Sequence, residues 1–389
     1  MDCIGYKGDT EKKCAVIMKG EVFVSGKIIR YFAGGNTARG FYSLFDSSLE
    51  GLNRIFILKG GPGTGKSFLM KDVGKVWSEK GYDIEFLHCS SDPDSVDGVI
   101  ITSLQVAIVD GTAPHVIEPK LPGAVEEYIN LGEAWDSKAL ASRKSDISEL
   151  SKQVSHAFQM AYRTYAEALK VHDDWEKIYF GNMDFEKANK LTDSLCSSFF
   201  GEITLNKPSK VQHRFLGAAT PIGAVDFVPN LTENVPKRYF IKGRPGSGKS
   251  TMLKKIAAEG EKRGFDIEVY HCGFDPNSLD MLIIRELGIA IFDSTAPHEY
   301  FPSRDDDKII ELYGTIIAKG TDEKFADPIR ECTVKYREKM DQGTGFLAKA
   351  KSLREQLEAI YIENMDFTVV DRHKQAIQMV IQRIADEQN

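Results

Sequence analysis

Residues 59 to 67 read KGGPGTGKS, and 183 positions later, at 242 to 250, the chain reads KGRPGSGKS. The repeat extends well beyond this turn. RYFAGGNTARG (30–40) falls on HRFLGAATPIG (213–223), and GYDIEFLHCSSDPDSVD (81–97) falls on GFDIEVYHCGFDPNSLD (264–280). VAIVDGTAPH (106–115) falls on IAIFDSTAPH (289–298) at the same offset. Farther on the offset drifts by one, and EKIYFGNMDF (176–185) meets EAIYIENMDF (358–367). A period of this length is a duplicated domain rather than a solenoid unit. The 389 residues therefore divide at the polar, proline-containing LNKPSKVQ (205–212) into halves 1–207 and 208–389, each of ordinary domain size.

In each half a short apolar strand, RIFILK or RYFIK, runs into the turn, and an amphipathic helix follows. Leu69, Met70, Val73, Val76 and Trp77 recur on one face of the first helix, which is expected to stop at Gly81. Met252, Leu253, Ile256 and Ala257 repeat the pattern before Gly264. The turn is G-x-x-x-x-G-K-S in both copies. Strand, glycine-rich turn and helix are together the context that defines a phosphate-binding loop. Glycines let successive backbone N–H groups approach phosphate oxygens, and the helix N-terminus adds a positive field. The expected phosphate-binding residues are Gly60, Gly61, Pro62, Gly63, Thr64, Gly65, Lys66, Ser67 and Phe68. In the second copy they are Gly243, Arg244, Pro245, Gly246, Ser247, Gly248, Lys249, Ser250 and Thr251. Lys66 and Lys249 are expected to reach the β- and γ-phosphates, and Ser67 and Ser250 to bind Mg²⁺.

The runs VAIV and IAIF read as buried parallel strands, each stopping at an aspartate. A carboxylate at the carboxyl end of such a strand lies where open α/β sheets bind ligands. Asp110 and Asp293 are therefore expected to join Ser67 and Ser250 in holding Mg²⁺, with helix capping as the alternative.

On these motifs both halves resemble the P-loop NTPase superfamily, and the whole chain resembles uncharacterised bacterial tandem P-loop ATPases. The motif match covers about 60 residues per half. The resemblance implies an α/β fold of two tandem P-loop NTPase domains. Each would be a mostly parallel sheet flanked by helices, with a long helical segment after the Walker B strand. It also implies ATP or GTP binding with Mg²⁺. The guanine signature N-K-x-D is absent, because NKLTD (189–193) places its aspartate one position late, and this favours ATP. No glutamate follows Asp110 or Asp293, and no duplicated arginine finger is recognisable. Asp92 and Asp275 end the strand after the turn helix, and are expected either to orient the attacking oxygen or to cap a helix starting at Pro93 or Pro276. His115 and His298, five residues past each strand-end aspartate, suit a γ-phosphate-sensing loop and equally a bonded turn beside proline.

The pairs His88–Cys89 and His271–Cys272 read as buried packing, and NMDF as a helix-terminus motif. Ile147, Leu150, Val154, Phe158, Ala161, Tyr165 and Leu169 mark one face of a long helix. Its second copy, with Leu353, Leu357 and Ile360, has Gly343 and Gly345 in its path. Packing across the sheet is the expectation for both, with a lid or partner-binding arm as the alternative. A net charge of −7 argues against general nucleic-acid binding. No stretch reaches the length of a membrane span, and the N-terminus lacks a secretory pattern. Six cysteines without C-x-x-C spacing read as reduced thiols, so a cytoplasmic location is expected. The sequence thus predicts a Mg²⁺-dependent ATPase with two ATP sites. Left open are a kinase acting on a small acceptor and a nucleotide-gated module that binds a protein partner with little turnover.

Overall fold

The computed structural model describes residues 25–388 and two short paired strands, Val16–Met18 and Glu21–Phe23. Cys3, Cys14 and most of the N-terminal stretch read for a secretory signal lie outside the described residues. The chain is α/β, with helices packed on a continuous 12-stranded sheet. In the first half the strand order is Glu126–Asn130, Arg54–Lys59, Val106–Asp110, Asp92–Ile101, Ile84–Cys89, Ile28–Phe32. The second half mirrors it with Val211–Phe215, Ile267–His271, Leu279–Ile284, Ile289–Asp293, Lys237–Lys242 and Lys308–Glu311. The strands within each half are parallel except Asp92–Ile101 and Leu279–Ile284, which run antiparallel to both neighbours.

That exception corrects one expectation. No helix starts at Pro93 or Pro276. The first copy enters a strand at Asp92, and the second makes a turn before Leu279. Valine, isoleucine and glycine after Pro93 make a run buried on both sheet faces, from Val96 to Ile101, which suits a central strand and not an amphipathic helix.

The halves join where Phe32 pairs antiparallel with Phe215. Beside this seam Arg214 is 2% exposed and reaches both oxygens of Glu85, each at 3.1 Å, with Glu268 3.7 Å away. Its guanidinium also lies 4.2 Å from the Tyr31 ring centre, while the Tyr31 hydroxyl donates to Glu85 at 2.7 Å. A buried cation requires such partners, since an unpaired charge there costs several kcal/mol.

The helices ignore the boundary at 207–208. The first turn helix, Lys66–Glu79, packs Leu69, Val73 and Trp77 with Ile377, Ile381 and Ala385 of the last helix, Phe367–Gln388. Reciprocally, Phe199 and Phe200 of Phe185–Phe200 pack with Leu253 and Ile256 of the second turn helix, Lys249–Lys262. Each half thus covers the other's sheet.

The two long helices, Lys144–Phe180 and Ala326–Ile362, lie against one another rather than on their own sheets. Ala157 meets Ala350, and Tyr165 meets Gly343, so they run antiparallel. The expected face of the first helix makes this contact, through Leu150, Val154, Phe158, Ala161, Tyr165 and Leu169. Gly343 is where the second helix yields: a Cβ there would stand 2.2 Å from Tyr165 Cε1. NMDF closes each long helix as a capping junction. Asp184 Oδ1 accepts from the Lys187 N–H at 3.0 Å, and Asp366 Oδ1 accepts from the Thr368 N–H at 2.9 Å. No described helix is long and apolar enough to cross a membrane.

Candidate functional site

The glycine-rich turns follow strands Arg54–Lys59 and Lys237–Lys242 and open their helices at Gly65 and Gly248. These two residues have φ of +79° and +82°, a region that disfavours residues bearing a Cβ. Thr64 Oγ1 donates to the Gly61 carbonyl at 2.9 Å, and Ser247 Oγ to Arg244 at 2.7 Å, which fixes each turn internally. Phe68 and Thr251 face outward, Phe68 at 69% exposure.

Lys66 Nζ donates to the carbonyls of Gly60 and Gly61 at 3.0 and 2.8 Å and stands 3.6 Å from Asp110 Oδ2. Lys249 repeats this with Gly243 and Arg244 at 3.4 and 3.0 Å and Asp293 Oδ2 at 3.4 Å. The strands ending in these aspartates are hydrogen-bonded neighbours of the turn strands, which is why lysine and carboxylate meet. Asp110 Oδ1 is steadied by the Thr112 N–H and hydroxyl at 2.8 and 2.6 Å, and Asp293 by Thr295 in the same way. Burial lowers the Lys66 pKa, and Asp110 opposes that shift while the Arg354 charge adds to it.

A second carboxylate joins each pair. Gly98 pairs with Val109 and Met281 with Phe292, so the next step in register sets Asp97 opposite Asp110 and Asp280 opposite Asp293. Residues directly opposite on adjacent strands share a face. Ser67 Oγ accepts from the Val96 N–H and Ser250 Oγ from the Leu279 N–H, both at 3.0 Å, which holds each hydroxyl beside this second aspartate. Asp97 is 5% exposed, so its carboxylate is enclosed by protein groups. Hydroxyl and two carboxylates are the hard oxygen donors that Mg²⁺ takes while keeping several waters. The residues present therefore fit the ion.

His115 Nε2 lies 3.3 Å from Asp97 Oδ2, and its ring centre lies 5.1 Å and 5.3 Å from those of Phe41 and Phe45. Burial works against charge on both groups. The His115 charge nonetheless holds the Asp97 pKa down, and Asp97 in turn raises that of His115. Cys89, Asp97 and His115 bring three donor atoms within 4.8 Å of one another. Burial raises the Cys89 thiol pKa well above its usual value, which keeps it protonated and disfavours it as a soft-metal ligand.

The second half differs here. His298 Nδ1 turns instead to Asp226 at 2.7 Å, and Tyr300 donates to the same carboxylate at 2.6 Å. The first half has Ser43 at the position of Asp226. Asp280, buried and beside Asp293, has its pKa pushed up to about 6.

Asp92 and Asp275 do not join these clusters. Asp92 is held by Lys351 at 2.8 Å and Ser95 at 2.7 Å, and Asp275 by Arg39 at 2.8 Å. Both ion pairs bridge the halves. His88 and Cys89 are buried as expected, while His271 and Cys272 are half-buried.

Over each turn lies the long helix of the opposite half. A Cβ on Gly63 would come within 2.8 Å of the Glu358 carbonyl, and one on Gly246 within 2.4 Å of the Glu176 carbonyl. One helical turn before Glu358 stands Arg354, 3.1 Å from that glutamate and a third exposed. Burial works against its charge, but the groups around it, Cys89, Glu358, Asp97 and Asp110, together raise its pKa. Asp97, Asp280 and Arg354 are the residues that motif reading missed. The signal for the aspartates was in the duplicated stretches, both of which end on aspartate. Arg354 carried no such signal, because its counterpart is His172. Compared with known proteins, the chain matches no family model, no curated protein and no solved structure.

Proposed function

We propose that this chain is a Mg²⁺-dependent ATPase of the P-loop type with two nucleotide sites, one on each glycine-rich turn. The observation that carries the reading is the repeated cluster of turn lysine, turn serine and two opposed carboxylates at the strand ends. In this reading the turn's N–H groups and Lys66 bind the β- and γ-phosphates. Ser67, Asp110 and Asp97 would hold Mg²⁺, which when bound neutralises phosphate charge. The oxygen of a water bonds to the γ-phosphorus, and the bond from that phosphorus to the β–γ bridging oxygen breaks. Its electron pair leaves with ADP, and the water's proton passes to phosphate or solvent. Arg354, brought by the opposite half, counters the charge gathering on the transferring group. The preference for ATP rests on the missing N-K-x-D.

Calorimetry should find two ATP bound per chain, with Lys66→Ala and Lys249→Ala each removing one. Steady phosphate release should require Mg²⁺ and no added acceptor. ADP formation that appears only with a nucleoside or nucleotide acceptor would indicate a kinase instead. Wild-type protein binding no nucleotide would end the reading.

A further inference from the structure

Glu358 and Glu176 occupy equivalent places, each presenting its carbonyl to a glycine of the opposite turn. The residues one helical turn earlier are therefore equivalent too, and they are Arg354 and His172. Arg354 Nε lies 3.1 Å from Glu358, and His172 Nδ1 lies 3.7 Å from Glu176. Both side chains are partly exposed beside the turns, at 33% and 26%. They differ in kind: a guanidinium is a permanent cation with a planar fork of donors that fits phosphoryl oxygens. An imidazole offers one donor at neutral pH. Burial, with Lys249 adding to it, lowers the His172 pKa, against the opposing charges of Glu176, Asp173 and Asp275.

Arg39, which the first half brings near the second site, is held by Asp275 at 2.8 Å. Arg244, on the turn itself, is held by Asp322 at 2.8 Å and lies over the Tyr313 ring. The clusters behind the turns diverge in the same sense. Asp97 keeps its histidine at 3.3 Å, whereas His298 bonds Asp226 and acts on Asp280 only through its charge, which Asp293 opposes.

We propose that the two sites divide the work: the first hydrolyses ATP with Arg354 supplied by the second half, and the second retains ATP with little turnover because His172 stands there instead. The proposal rests on the two-site ATPase reading.

The test begins with the wild type. After incubation with Mg²⁺ and ATP, rapid desalting and acid quench, the protein should retain one unhydrolysed ATP per chain while ADP accumulates in solution. Arg354→His should cut steady turnover roughly a hundredfold or more with two nucleotides still bound by calorimetry. Adding His172→Arg to that variant should restore turnover to within about tenfold, and the restored activity should now depend on Lys249 rather than Lys66. Wild-type turnover in folded Arg354→His, or wild-type protein retaining only ADP, would overturn the division of labour while leaving the ATPase reading intact. Absence of nucleotide binding to the wild type would instead defeat that reading, and this proposal with it. The wild-type retention measurement needs no variant, so it decides the matter even if a substituted chain fails to fold.

Discussion

His88 is built to stay neutral. Its Nδ1 bonds the Pro93 carbonyl at 3.0 Å, its Nε2 faces the Arg30 guanidinium at 3.4 Å, and its ring lies 4.5 Å from that of Phe227. Protonation would set a second cation beside Arg30 in an apolar setting. Burial accordingly pushes its pKa down to about 4, and the His271 pKa is lowered in the same direction, first by burial. The unfolded chain then binds the proton more readily than the folded one. Stability is full above the unfolded value of about 6.5 and falls as pH drops towards 4, by about 3 kcal/mol for His88 alone. Urea titrations at several pH values should show that slope, and His88→Gln should flatten it; an unchanged slope would mean that other groups carry the acid sensitivity. The same scale separates two carboxylates only five residues apart. Asp97→Asn should cut turnover roughly a hundredfold with ATP still bound. Asp92→Asn should leave the chemical step near wild type and weaken only its link to Lys351. The reverse ranking would return the chemistry to Asp92.

Among the elements, the long helix Ala326–Ile362 offers the sharpest contrast. It runs unbroken through Gly343 and Gly345, although each glycine costs helix propensity of about 1 kcal/mol relative to alanine. At Gly345 nothing lies within 4 Å of an added Cβ, whereas at Gly343 the Tyr165 ring is already there. Gly345→Ala should therefore stabilise the protein by about 0.5–1 kcal/mol. Gly343→Ala should destabilise it by about 1–3 kcal/mol, because Tyr165 is fully buried and has nowhere to go. Chemical denaturation of the two single variants checks the opposite signs; equal effects would mean that the helix pair adjusts freely. The turn helices, their apolar faces and their stops at Gly81 and Gly264 were legible in sequence, because period and glycine position are local properties. So was the apolar face of the first long helix. Its partner was not, because a 3.6-residue stripe records that a face is buried and not what buries it. Asp-Pro is also a helix-start signal, so a helix at Pro93 is one of the two expectations for Asp92; pairing on both sides of the strand prevails over it.

For the whole molecule, sequence repeat and packing unit are different objects. Residues 1–207 and 208–389 repeat one another, yet Phe199 and Phe200 complete the core around Ile256, and Ile377 and Ile381 complete the core around Val73. Arg354 stands one helical turn from Glu358 over the first turn for the same reason, and no local sequence pattern records that. A chain cut at 207–208 should give two pieces that are each poorly soluble alone, since each exposes a sheet face meant for the other's helices. Co-expressed, they should assemble into a stable one-to-one complex with the activity of the intact chain. Size-exclusion chromatography with light scattering checks this; two well-folded, independent monomers would refute it.

The reciprocal covering has a bearing on descent. A gene for one half alone would have to make a two-fold dimer, each copy closing the other, and symmetry would force both sites to be identical. Joining two such copies in one reading frame keeps the architecture and lifts that constraint. Arg354 and His172, or Asp226 and Ser43, can then differ within a single polypeptide. In a symmetric ancestor any change that silenced one site would have silenced both. Fusion is what would make a specialised pair heritable.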